Sequence, residues 1–264
     1  MSEVAEVAVP TAASMMAGLG ATEGIKDDGD FLGGYNPFES DLYDFIVKAA
    51  YFTLSAGGAK CLNVILKQDK RELKQQFWIT SGTGKGCLPY YINQKTQEKQ
   101  FLPGFTVANH LAKLTCKGKA IGQMVVEERM IKMYNKAAKA EVPTKVLMCI
   151  EMLDQAVTAG VVKRLVDKTK DTGTVDASGK KIYMATGEFR TENEVVKFFR
   201  TRDRMSVAEI EAKAEKAEFA TRWLDKWFGQ TEDKRTQNNG TAGTVNAGTN
   251  AAPVESAAVA GLFA

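Results

Sequence analysis

The alternation of apolar and polar positions divides the chain into a strand-rich middle and a helical end. From Tyr43 to Leu54 the period is two: Tyr43, Phe45, Val47, Ala49 and Tyr51 fall on one face, and Ile46, Lys48, Phe52 and Leu54 on the other. Ser55-Ala56-Gly57-Gly58 marks a turn, and a second strand follows from Lys60 to Lys67 with Leu62, Val64 and Leu66 on one face. Gln68-Asp69-Lys70-Arg71 turns again into a third run, in which Leu73, Phe77 and Ile79 face one way and Lys74, Gln76 and Trp78 the other. Three strands joined by short turns predict an antiparallel meander. Phe77 is expected in the core, and Trp78, sharing its face with Lys74 and Gln76, outside.

Beyond the third strand the pattern loosens. Ser81 to Gly86 is a glycine-rich basic turn, and Pro89, Tyr90, Tyr91, Lys95, Lys99 and Phe101 follow before Pro103-Gly104 closes the stretch. Interleaved aromatics and lysines suit a surface that stacks bases and tracks phosphates, because every base has a π-face and every nucleotide a negative charge. The same composition also describes a plain hairpin with its aromatics in the core and its lysines in solvent.

Phe105, Ala108, Leu111, Ala112 and Thr115 recur at helical spacing and predict a helix from 105 to 115. Met124 to Ala140 has no clear period. Alternation returns from Lys145 to Leu153 and from Val157 to Asp167, with a bulge expected at Gly160. Lys168 to Gly179 reads as a polar loop and Lys181 to Ala185 as a short apolar run. Two capping boxes follow, Thr191…Glu194 and Ser206…Glu209, each predicting a helix start. The first helix would run through Val195, Val196, Phe198 and Phe199. The second would continue to Phe219, Trp223, Trp227 and Phe228, whose spacing predicts a docking face.

Four segments result: a flexible acidic arm (1–34), a strand-rich domain (35–186), a helical extension packed on it (187–229) and a disordered tail (230–264). The fold class is mainly β with α, that is α+β. Three strands, a helix and two further strands is the order of the oligonucleotide-binding (OB) antiparallel β-barrel, with its helix between strands three and four and, here, C-terminal helices. Such barrels bind chiefly through the second and third strands and adjoining loops.

Composition sharpens this only locally. The chain has 264 residues, 44% hydrophobic and 25% charged, and a formal net charge of only +3. The basic excess is concentrated: between Lys60 and Val146, Lys and Arg outnumber Asp and Glu by about ten, whereas the first thirty residues are acidic. The four cysteines, Cys61, Cys87, Cys116 and Cys149, lie far apart with no CxxC pair, and read as small hydrophobes in a reducing compartment. No leader-like segment or long apolar run is visible, so a soluble cytosolic protein is expected, without membrane contact.

Catalytic chemistry has little to stand on. His110 is the only histidine and falls inside a predicted helix. The Ser81–Gly86 turn fails as a phosphate loop, since that pattern needs glycine where Ile79 stands and a hydroxyl where Gly86 stands. No metal or cofactor is expected, and no enzyme.

The successive strings YDFIVKAAYFTLSAGGAKCLNVILK, FWITSGTGKG, FLPGF, EVPTKV, AGVVKRLVDK, ENEVVKFFR, SVAEI and FATRWLDKW resemble the single-stranded DNA-binding proteins of certain tailed bacteriophages. The resemblance runs from about Tyr43 to Phe228. It implies an OB-fold core that coats single-stranded DNA in phage replication, recombination and repair, in the host cytoplasm. One departure is plain. Such proteins often end in an acidic tail with an aromatic tip, whereas here Glu255 is the only charge after Arg235, although Phe263 remains.

The expectation is therefore a non-catalytic, largely sequence-independent single-stranded DNA-binding protein. Trp78, Tyr90, Tyr91 and Phe101 would stack bases, at roughly 1–3 kcal/mol each. Lys60, Lys67, Lys74, Lys85, Lys95 and Lys99 would neutralise phosphates. Leu262 and Phe263 would form a partner-binding tip for a phage DNA polymerase, helicase or recombination protein. The alternative is a replication or recombination accessory protein acting mainly through its helical C-terminal part, and a weaker one a nuclease.

Overall fold

The computed structural model describes residues 36–135, 138–175 and 181–236. The arm expected over 1–34 and the tip at Leu262 and Phe263 lie outside them. The meander forms as expected: β1 (Asp41–Leu54), β2 (Lys60–Gln68) and β3 (Arg71–Trp78) pair antiparallel in sequence order. The register of β1 slips between Val47 and Ala49, and this bulge overturns the expected faces. Phe45 and Val47 point into the core, but beyond the bulge Ala50 and Phe52 do so instead of Ala49 and Tyr51. The bulge is fastened to the turn before β8, with Val47 N donating to Gln155 O and Asp154 N to Val47 O. It lets one strand serve several neighbours.

The aromatic stretch folds into a short hairpin, β4 (Tyr90–Ile92) with β5 (Lys99–Phe101), followed at once by α1 (Pro103–Thr115). Proline at its first position suits the helix start, where the missing N–H has no partner to lose. The undecided segment after it is a strand, β6 (Val126–Asn135), paired with β7 (Ala140–Cys149). Next comes a long hairpin, β8 (Ala156–Val175) with β9 (Lys181–Phe199), and its register shifts at Gly160 as expected.

That hairpin corrects two expectations. The stretch read as a polar loop from Lys168 is strand as far as Val175. The helix expected from Thr191 is instead the end of β9, which runs unbroken through position 187. The capping-box side chains spend their polarity across the sheet: Asn193 bonds the N–H and C=O of Phe38, and Glu194 pairs with Arg164. Val195, Val196, Phe198 and Phe199 are strand formers, and pairing with β8 overrides the local cap signal.

The second capping box is real, with Ser206 and Glu209 bonding reciprocally, but it opens only a short helix, α2 (Val207–Glu211). The expected single helix breaks, and α3 (Glu218–Trp227) begins afresh. Glu209 joins the two, because its other carboxylate oxygen accepts from Phe219 N at 2.7 Å. A last strand, β10 (Thr231–Asp233), lies parallel to β8.

Mainly β with few helices, the fold is coarsely α+β, and its antiparallel sheet does not close into a barrel. β1 is the hub: its first half pairs with β8, most of its length with β2, and Tyr51–Phe52 with β7. β3 and β9 stop short of pairing, and α1 packs against both. Side chains span the gap: Phe77 meets Phe198 edge to face, and Gln75 bonds the β9 backbone. Gln75 Nε2 donates to Asn193 O at 2.9 Å, and Val195 N donates to Gln75 Oε1 at 3.0 Å, so the side-chain amide stands in for a peptide group of the missing ladder.

The main core lies inside this curve. Phe45, Leu62, Val64, Leu66, Phe77, Val161 and Phe198 meet Ala108, Leu111 and Ala112 of α1. Each fully buried leucine or phenylalanine contributes about 1.5–3 kcal/mol. A second cluster fastens α3 to the other face of the β8–β9 pair through Val162, Phe199, Ala220 and Trp223. Trp223 therefore docks within the chain, and it requires glycine beneath it, since a Cβ at position 160 would stand 2.8 Å from the indole. Among the described residues no helix is long and apolar enough to cross a membrane.

Candidate nucleic-acid interface

β3 presents its side chains alternately, as the period of two requires. Leu73, Gln75 and Phe77 are buried, whereas Lys74, Gln76 and Trp78 are exposed, the indole by 46%. A tryptophan left so open is available to a planar ligand. The face beside it is braced by a polar row across three strands. Gln76 Nε2 donates to Asn63 Oδ1 at 3.0 Å, and Asn63 Nδ2 to Thr53 Oγ1 at 2.8 Å.

Trp78 is held from behind by its backbone. Gly104 in the first turn of α1 lies so near that a Cβ there would stand 2.3 Å from the Trp78 carbonyl oxygen. Ahead of it, two turns lock together: Thr83 donates to Gly57 O through both N and Oγ1, at 2.8 Å each. Gly82 permits this contact, since a Cβ would fall 2.7 Å from Gly57 O. Between these walls runs a groove of about 1060 Å3. Gln76, Trp78, Ser81, Lys85 and Pro103 line it, with Arg164 and Glu194 from the β8–β9 pair.

Of the ten residues predicted to touch nucleic acid, Trp78 and Lys85 line this groove. Lys67 and Lys74 share the outward face of β2 and β3 with Trp78, near Glu72. Lys48 donates to Glu72 at 2.5 Å and holds its carboxyl below the usual range. Lys60 has the opposite parity and lines a separate, apolar groove of about 1090 Å3 with Phe52, Leu54, Ile121 and Leu147. The β4–β5 hairpin carries the rest. Tyr90 is opposite Phe101, and Ile92 opposite Lys99, so these four share a face; Tyr91 points the other way and its hydroxyl donates to Gln100. Lys99 Nζ lies 5.0 Å from the Tyr90 ring centre, and Phe101, 59% exposed, stacks on Phe105 at 4.8 Å. Lys95 sits exposed in the hairpin turn. The neighbouring tyrosines of the sequence thus serve two faces.

No known family, curated protein or solved structure matches the chain.

Four of the groove's residues, Gln76, Gly104, Arg164 and Glu194, carry no local sequence signal for such a role. The strand period puts Gln76 on the outward face but says nothing of a groove, and Pro103-Gly104 marks only the end of the stretch. Arg164 lay in a predicted strand with nothing local to bring it near Trp78; only the β8–β9 pairing does so. Its guanidinium is bound by Glu194 of β9 and by Glu232 of β10, and only 20% of the side chain is exposed. Burial pushes the Glu232 carboxyl up, but hydrogen bonds from Lys234 and Arg164 outweigh it and hold the group below the usual range.

Burial perturbs one imidazole and three thiols. Burial, aided by Lys197 and Lys113, lowers the His110 imidazole to about 4, and its Nδ1 has no hydrogen-bond partner. Burial also raises the Cys61 and Cys116 thiols, and pushes Cys149 up to about 12, so all three stay protonated at neutral pH. Among the described residues no group of three or more His, Cys, Asp or Glu could hold a metal ion.

Proposed function

We propose that this protein binds single-stranded DNA without catalysis and largely without regard to sequence. By its resemblance to the phage proteins, it would coat DNA during replication, recombination and repair in a host cytoplasm. The observation that carries the reading is the exposed Trp78 set in one groove with Lys85 and with Arg164, the latter held by Glu194 and Glu232. An aromatic platform beside cations is what an unpaired strand needs, a π-face for a base and positive charge for its phosphates.

We read the sheet as an OB-type barrel left ajar: a bulged first strand is shared between both halves, a helix fills the gap between β3 and β9, and Gln75 bridges it. Such folds bind chiefly through the second and third strands and adjoining loops; here the third strand and the turn after it line the groove, with the β8–β9 hairpin opposite. The accessory-protein reading rests on Phe219, Trp223 and Trp227, and all three pack against the β8–β9 pair, Trp223 over Gly160.

The test is a fluorescence titration with oligo-dT and with a duplex of equal length at two salt concentrations. Saturable binding of the single strand, weakening as salt rises, is expected. No binding of oligo-dT at low salt would refute the proposal.

A further inference from the structure

Arg164 is not a free cation waiting for phosphate. Two carboxylates hold it, Glu194 from β9 and Glu232 from β10, and they differ in kind. Glu232 is sunk beside Lys234, its second partner at 2.9 Å, on a strand whose backbone is paired with β8. Glu194 is about half exposed and itself lines the groove with Trp78. A guanidinium offers five donors in a planar fork, enough for one carboxylate on its inner side and another anion on its outer side. An incoming phosphate therefore meets the Glu194 carboxylate at the donors it would take.

We infer that Arg164 is a phosphate contact of the groove and that Glu194 is its built-in competitor, displaced when single-stranded DNA binds, while Glu232 keeps the guanidinium in place. The inference rests on the DNA-binding reading above and adds a regulatory element to it. Glu194 lowers affinity and eases release, which suits a coat that must be stripped from DNA.

The test is a mutant cycle on the full chain, with oligo-dT titrated from low to moderate salt. Glu194→Gln tightens binding three- to tenfold at low salt. Arg164→Gln weakens binding and makes the salt slope shallower by about 0.7, the loss of one phosphate contact on a single strand. In the double variant the gain from Glu194→Gln disappears. Arg164→Lys retains the slope and guards against a merely structural effect, as does a thermal melt of each variant. An unchanged slope in a folded Arg164→Gln protein overturns the inference, and so does a gain from Glu194→Gln that persists in the Arg164→Gln background. Failure of the wild-type chain to bind oligo-dT is a different result, and it refutes the DNA-binding reading itself.

Discussion

At the scale of single residues, Trp78 carries the most. Removing its indole leaves the core untouched, since the ring faces outward. Trp78→Ala should cost about 1–3 kcal/mol of oligo-dT affinity, with little change in melting temperature; an unaltered dissociation constant would move the platform elsewhere. Gly104 is a subtler case. Gly104→Ala drives a methyl into the Trp78 backbone, so either α1 or β3 must shift. A loss of about 1–3 kcal/mol in stability is expected from such overpacking, together with weaker binding, both readable in one melt and one titration.

His110 gives a residue-scale prediction in pH. Its folded value of about 4 lies below the unfolded value near 6.5, so the unfolded chain binds the proton more readily. Stability from this site is complete above about pH 6.5 and is lost as pH falls toward 4. Between pH 7 and pH 5 the wild-type protein should lose up to about 2 kcal/mol more than a His110→Gln variant. Melts at the two pH values decide it, and parallel losses in both proteins would refute it.

At the scale of elements, Gln75 replaces a strand pairing. A Gln75→Leu protein keeps the volume but leaves Val195 N and Asn193 O without that partner in a buried place. The expected cost is about 1–3 kcal/mol, with faster amide hydrogen exchange at Val195 as the local readout. Elements also show where sequence reading succeeds. The meander, α1, the Gly160 bulge and the Ser206 cap follow from local period and turn chemistry, and all stand in the structure. The Thr191…Glu194 box failed because its polar side chains had distant partners, Phe38 and Arg164, that local spacing does not reveal. The β1 bulge was hidden for a similar reason, since it is set by backbone bonds to residues 154 and 155.

At the scale of the molecule, the groove is lined by two distant parts of the chain, and only one of them lies between residues 73 and 105. Trp78 and Lys85 are legible in the sequence because strand period and glycine turns are local signals. The far wall is not. Arg164 and Glu194 reach the groove only through the β8–β9 hairpin, and Lys60 went to another groove because its parity differs from that of Lys67. Charge counted along the chain cannot separate faces of one sheet, and burial against distant strands decides which lysines share a surface with the tryptophan.

The bridge at Gln75 also sets an order of events during synthesis. Asn193 lies 118 residues further along the chain, which a ribosome takes roughly 6–24 s to add. For that interval β3 is a bare edge, open to pairing with any other strand nearby. α1 emerges much earlier than β9, and its glycine lets it press directly against the β3 backbone at Trp78. The helix thus covers the nascent edge until β9 arrives to be fastened by the Gln75 amide and by Phe198 against Phe77.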